Sequence, residues 1–328
     1  MKKKLLSLVL SLGLISSMTA CGSEADPGEA APEGGNENAK YTVGICQLTQ
    51  HPALDAATEG FMARIEEKMP GEVEFDVKNA SNDIPTCGVI ATGFASNNVD
   101  LILANATPAL QACASATLDI PVLGTAVTEY GVALEIENFS GTVGGNISGT
   151  SDLAPLDQQA ELFQQFLPDA KNIGILYCSA EANSVYQGEV IKAELEKQGK
   201  KVTVYTFADS NDVNTVTSTA CSENDAIYIP TDNTAATCAE AINSVAEPAG
   251  VPIIAGDMGI AGACGILSLC VDYYELGETT GDMAVRVLQG EDISSMAIEY
   301  FPQPLKKYNP RLCEVYGIEV PEEFTAIE

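Results

Sequence analysis

The stretch YTVGICQ at residues 41–47 has a counterpart, NIGILY, at residues 172–177, and their glycines, Gly44 and Gly174, stand 130 residues apart. Each is a short β-branched run leading through a loop into a helical pattern, Pro52 to Met69 in the first case and Ser184 to Gly199 in the second. The tripeptide SND at 81–83 follows the strand pattern Val73 to Val77, and the same tripeptide at 210–212 follows Val202 to Phe207. DLILA at 100–104 runs into NATPA at 105–109, as DAIYI at 225–229 runs into PTDNTA at 230–235. Finally IPVLG at 120–124 matches VPIIAG at 251–256. Four ordered matches near one offset define an internal repeat, and each half alternates strands of four to six apolar residues with helices.

Such alternation predicts parallel sheets with helices on both faces, joined by right-handed crossovers. The fold class is therefore α/β: two doubly wound parallel-sheet lobes. A further strand is expected over Leu267 to Val271. The helix through Leu288 opens on Asp272 and Glu275 in the form of a capping box, and a last short strand is expected at Ile298 to Phe301. Counting elements gives three passages between lobes, a three-stranded hinge. The expected boundaries are 41–150 plus 271–296 for the N-terminal lobe and 151–270 plus 297–328 for the C-terminal lobe.

The chain has 328 residues, with 16 Lys and Arg against 46 Asp and Glu, for a formal net charge of −30. That balance excludes a nucleic-acid binder working through a basic footprint. With 46% hydrophobic and 19% charged residues, it also excludes global disorder.

Lys2, Lys3 and Lys4 precede an apolar run from Leu5 to Ile15, followed by SSMTACG at 16–22. Residues 1–20 thus read as a secretory signal, too short in its apolar part to span a bilayer. The segment resembles the lipobox of bacterial lipoproteins, with Met18 where leucine is usual. That resemblance implies lipidation at Cys21, an exported chain and anchoring on the outer face of the cytoplasmic membrane. Residues 21–40, rich in Gly, Pro, Ala, Asn and acids, read as a disordered acidic tether.

In doubly wound sheets, ligands bind beyond the carboxyl ends of the strands, so two lobes facing one another enclose a cleft. The strand-end loops supply the candidate contacts. In the first half they are Gln47, Thr49, His51, Asn105, Thr107 and Thr128. Ser151 and Asp152 lie between the halves, and Ser179, Asn183, Ser184, Thr231, Asp232, Asn233 and Asp257 follow in the second. Helix starts there favour an anion such as an α-carboxylate, with Thr107 expected to cap a helix ahead of Pro108 and Ser179 or Asn183 in a similar part. Asp232 and Asp257 suit an ammonium. Leu48, Leu54, Tyr130 and Tyr273 are candidates for the wall against a ring.

His51 is the sole histidine, so no histidine-based metal site or triad is expected, and no cofactor loop of the Walker or dinucleotide type follows the strands. Cys46 lies five residues before His51 but falls inside a strand as a small buried side chain, so the chain is not expected to be an enzyme. The ten cysteines, nine without Cys21, form no CxxC pair and read as buried filler.

QLTQHPALD at 47–55, ANATPA at 104–109, GTSDL at 149–153, EANS at 181–184, PTDN at 230–233, AGD at 255–257 and DYYELG at 272–277 resemble the substrate-binding lipoproteins of ABC transporters whose better-understood members bind tryptophan and related aromatic amino acids. The resemblance runs from Tyr41 to about Tyr316. It implies a type I periplasmic-binding-protein fold, a monomer, a small ligand such as tryptophan, tyrosine or phenylalanine closed between the lobes, and delivery to a permease and its ATPase. A sugar, a nucleoside or a branched amino acid is the alternative ligand, and a sensory receptor the alternative role.

Overall fold

A computed structural model describes residues 39–301 and 303–327. The expected signal peptide, Cys21 and the tether as far as residue 38 lie outside the described residues.

In the N-terminal lobe, β1 (Tyr41–Gln47), α1 (Pro52–Lys68), β2 (Val73–Asn79), α2 (Ile84–Asn97), β3 (Leu101–Asn105), α3 (Thr107–Ala116), β4 (Val122–Val127), α4 (Tyr130–Ala133) and β5 (Ile147–Ser151) follow in order. The C-terminal lobe continues with α5 (Leu156–Phe166), β6 (Asn172–Cys178), α6 (Ala182–Lys197), β7 (Lys201–Phe207), α7 (Val213–Glu223), β8 (Ala226–Ile229), α8 (Asn233–Thr237), α9 (Ala239–Ala249), β9 (Ile253–Ala255), α10 (Met258–Ala263) and β10 (Leu267–Cys270). The chain ends with α11 (Tyr273–Leu288), β11 (Glu299–Tyr300), β12 (Leu305–Tyr308), α12 (Pro310–Tyr316) and β13 (Thr325–Ala326).

The first sheet has the order β11-β5-β4-β3-β1-β2 and the second β13-β12-β10-β9-β8-β6-β7. Pairing is parallel throughout the first; in the second, β12 runs antiparallel to β10. Inner strands such as β3 are buried at every residue, as a sheet covered on both faces requires. The edge strand β2 instead leaves Val77 exposed. Each sheet therefore has a core on either side. In the first lobe Val43, Phe61, Leu101 and Met283 fill one, and Phe94, Ile102, Leu110 and Tyr130 the other.

Three passages join the lobes. The first follows β5, and the second takes the chain from β10 back to α11, which lies along α1. There the two backbones nearly touch: a Cβ on Gly277 would sit 2.1 Å from the Ala57 carbonyl oxygen, and one on Gly60 2.1 Å from that of Tyr274. The third passage corrects the expected boundary at 296/297. Glu299 and Tyr300 pair with Thr150 and Ser151, extending the first sheet at its edge, so the chain leaves that lobe only after Tyr300.

Candidate functional site

The carboxyl ends of both sheets meet across a narrow chamber with a cavity volume of only about 10 Å³, so the lobes lie almost in contact there. The N-terminal lobe contributes His51, Leu54, Ala126 and Thr128, and the hinge Asp152 and Tyr273; the C-terminal lobe supplies Asn183, Thr231, Asp232, Asn233 and Asp257. All are buried except Thr231, which is half-buried. Eight of the sequence-derived candidates therefore converge here.

Five of the others hold supporting positions. Gln47 receives the Thr58 hydroxyl (2.7 Å) and donates to the Thr49 carbonyl (2.8 Å) and to Asp55 (2.6 Å). Asn105 donates to the Leu54 carbonyl (2.8 Å) and to Thr58 (2.9 Å). Gln47 and Asn105 thus fasten α1 to the ends of β1 and β3, with the Thr49 carbonyl helping to hold Gln47. Ser151 donates to the Thr128 carbonyl (2.7 Å) and steadies the first passage. Ser184 donates at 3.4 Å to the Thr231 carbonyl.

Two helix starts differ from expectation, and two expected ammonium partners serve as helix caps. Ala106, at φ 95°, occupies the cap position of α3, so Thr107 falls inside the helix with its hydroxyl buried and unpartnered. Helix α6 begins at Ala182, which leaves Ser179 exposed in the preceding loop and puts Asn183 within the helix, donating to the Thr231 carbonyl (2.9 Å). Asp232 caps α8 and spends both oxygens on backbone N–H groups, Ala235 at 2.6 Å and Cys178 at 2.7 Å. It lines the chamber, yet both its oxygens are engaged by the protein. Asp257 caps α10 through the Ile260 N–H at 2.9 Å.

Asp152 is placed differently. Its Oδ2 accepts from the Tyr273 hydroxyl at 2.8 Å, whereas Oδ1 is buried with no partner, as is Oδ1 of Asn183. Burial raises the pKa of Asp152, opposed by the hydroxyls of Tyr273 and Thr128. Burial also raises Asp257, opposed by the Ile260 N–H and by His51. Asp232 is pushed up to about 8 by burial and by the neighbouring Glu181 carboxylate. No lysine or arginine is among the residues lining the chamber, so three carboxyl groups stand there with His51 as the one side chain able to carry positive charge.

Two side-chain hydrogen bonds cross the cleft: His51 Nε2 to Asn233 Oδ1 at 3.2 Å, and Asn82 Nδ2 to Thr234 Oγ1 at 3.1 Å. Both acceptors belong to residues held by Glu181. Its Oε2 accepts from the backbone (3.0 Å) and side-chain (2.6 Å) N–H groups of Asn233. Its Oε1 accepts from the backbone N–H (2.9 Å) and hydroxyl (2.8 Å) of Thr234.

Sequence reasoning missed Glu181 as a site residue, although its place in a strand-end loop before a helix was a usable signal. It also missed Ala126, whose φ of 53° accompanies a register shift between Gly124 and Val127. An alanine gives no warning of a left-handed backbone. Of the wall candidates, Leu54 and Tyr273 line the chamber; Tyr130 belongs to the core, and Leu48 faces a neighbouring pocket.

Two doubly wound lobes closed on a buried chamber define a two-lobed solute-binding protein. Residues 42–327 match the family described as ABC transporter substrate binding protein, and the chain belongs to it. A tyrosine-binding protein of Clostridioides difficile is 36% identical over 307 residues, covering 90% of this chain and 87% of that one. A Streptococcus pneumoniae ABC domain in complex with L-Trp is 31% identical, with a TM-score of 0.83 over 87% of this chain and 97% of that one. A ligand-free, open substrate binding protein with adhesive properties, from Clostridium difficile, is 36% identical but has a TM-score of only 0.68 over 88% and 99% of the two chains. The chain superposes better on the less identical complex than on the open form, in keeping with its closed cleft.

Proposed function

We propose that this chain is the extracytoplasmic solute-binding component of an ABC importer, held to the membrane by lipid on Cys21, and that it carries an aromatic amino acid to a permease driven by an ATPase. The observation that carries this reading is the chamber's charge: Asp152 has a buried oxygen with no hydrogen-bond partner, in a space lined by three carboxyl groups and no lysine or arginine. A ligand ammonium satisfies that oxygen. Similarity to the tyrosine-binding relative and to the L-Trp complex supports the ligand class.

Orientation follows from which helix starts are free. In the C-terminal lobe, Asp232 and Asp257 cap α8 and α10, and Glu181, the N-cap residue of α6, places its charge at the starts of both α6 and α8. Helix α1 starts at the chamber with His51 as a cap residue that makes no capping hydrogen bond. The α-carboxylate therefore turns toward α1 in the N-terminal lobe, and the ammonium toward Asp152 and Asp257. Leu54, Ala126 and Tyr273 supply apolar wall for the ring.

Calorimetric titration of the soluble domain with L-tyrosine, L-tryptophan and L-phenylalanine tests this, with a sugar and a nucleoside as controls. Binding of the amino acids alone is expected. Binding of only the controls would overturn the ligand class, and consumption of a bound compound would overturn the role.

A further inference from the structure

We propose that Glu181 is a positioning residue for lobe closure, presetting the two acceptors that latch the opposite lobe and so setting how long a ligand stays; the ligand arm of this proposal rests on the reading of the chamber given above. One buried carboxylate makes four contacts, two to Asn233 and two to Thr234. These consecutive residues receive the only two cross-cleft hydrogen bonds described above, from His51 in the loop before α1 and from Asn82 in the loop before α2.

The arrangement has a direction. Asn233 must point Oδ1, rather than its amide nitrogen, at His51, and donation of that nitrogen to Glu181 Oε2 fixes the flip. The Thr234 hydroxyl likewise spends its proton on Glu181 Oε1, so its lone pairs face Asn82. Without Glu181 both groups are free to rotate, and closing must then order them. With Glu181 that ordering is complete before the lobes meet. Glu181 is 2% exposed and does not line the chamber, so its effect reaches the ligand through the residues it holds and through its charge beside Asp232.

The test compares the wild-type soluble domain with Glu181→Gln, which keeps the shape but turns a donor toward groups that themselves donate. Stopped-flow dissociation of L-tyrosine and L-tryptophan is measured, together with small-angle scattering of each chain without ligand. Release is expected to quicken about tenfold, the scale of two weakened hydrogen bonds, while the association rate changes by less than about twofold. Scattering should shift toward the open form. Asn82→Ala, which removes one latch partner outside the chamber, should reproduce part of the effect, and Glu181→Gln should add less than its full effect on top of it.

A folded Glu181→Gln with unchanged release and unchanged scattering overturns the proposal, as does full additivity with Asn82→Ala. If Glu181→Gln does not fold, Thr234→Val combined with Asn82→Ala reads the same latch. If no amino acid binds the wild type, the ligand reading fails, and the scattering comparison still decides the latch.

Discussion

The Tyr273 hydroxyl donates to Asp152 Oδ2 at 2.8 Å, joining the first residue of α11 to the residue that follows β5. One buried hydrogen bond thereby ties two of the three hinge passages, and its acceptor is the residue whose other oxygen is buried without a hydrogen-bond partner. Asp152→Asn, which keeps the shape and removes the charge, should weaken amino-acid binding by about 2–5 kcal/mol, the scale for a buried charge losing its partner. Tyr273→Phe should cost about 1–3 kcal/mol of stability by leaving Oδ2 without its donor. Calorimetry and thermal melts check both, and unchanged affinity in Asp152→Asn would remove Asp152 from the ammonium site.

Asp232 should behave in the opposite way. Because its oxygens hold the Ala235 and Cys178 N–H groups, Asp232→Ala should lower the melting temperature of the ligand-free protein by the equivalent of about 1–3 kcal/mol. A variant that melts as the wild type does but has lost the ligand would make Asp232 a direct contact.

Burial places the chamber carboxyls above the usual range, with Asp232 at about 8. A carboxyl whose folded pKa exceeds its unfolded value of about 4 holds more protons when folded between those two values. Its contribution to stability is therefore greatest at low pH and is lost as pH rises toward 8. A ligand ammonium favours the ionised form and reverses that loss. The ligand-free melting temperature should fall from pH 5 to pH 8 while the increment given by ligand grows. The opposite trend would show that the carboxyls ionise freely in the empty chamber.

The contact between α1 and α11 predicts a contrast between two glycines. Gly277→Ala drives a Cβ into the Ala57 carbonyl and should destabilise the N-terminal lobe by at least about 2 kcal/mol. Gly93→Ala, in α2 with open space around it, should stabilise by about 0.5–1 kcal/mol. Equal melting temperatures for the two variants would show that α11 lies farther from α1.

Nine free cysteines lie in the described lobes, eight of them buried and Cys238 half-buried. Burial pushes Cys178, Cys221 and Cys313 up to about 11, which keeps them as unreactive thiols. A thiol reagent should react with about one of these nine in the native protein and with all nine in denaturant. A native count near nine would mean that the lobes open far more often than the packing allows.

Much of the fold was legible because parallel strands covered on both faces must be apolar throughout, and β1, β3, β6 and β8 read that way twice over. The hinge was less legible. Glu299 and Tyr300 form a two-residue strand whose lobe depends on pairing with Thr150 and Ser151, which a local pattern does not reveal. At the site, loop position sufficed to gather His51, Thr128, Asp152, Asn183 and Asp257. It did not separate them from Gln47 and Asn105, because a polar side chain at a strand end serves equally to tie down a helix or to face a ligand. Nor did it distinguish Asp152 from Asp232, since the difference lies in which backbone N–H groups reach each carboxylate.

The chamber's walls come from both lobes and the hinge, and nearly all of them are shut off from water. A solute inside can depart only when the lobes part, so every solute faces the same ceiling on its escape rate, the frequency of that parting. Preference among solutes then acts as a change in the fraction of time the door stands shut, and a poor fit is rejected by failing to keep it closed. Residence would be timed by the hinge, and the small contacts around each solute would decide only how often the clock is allowed to run.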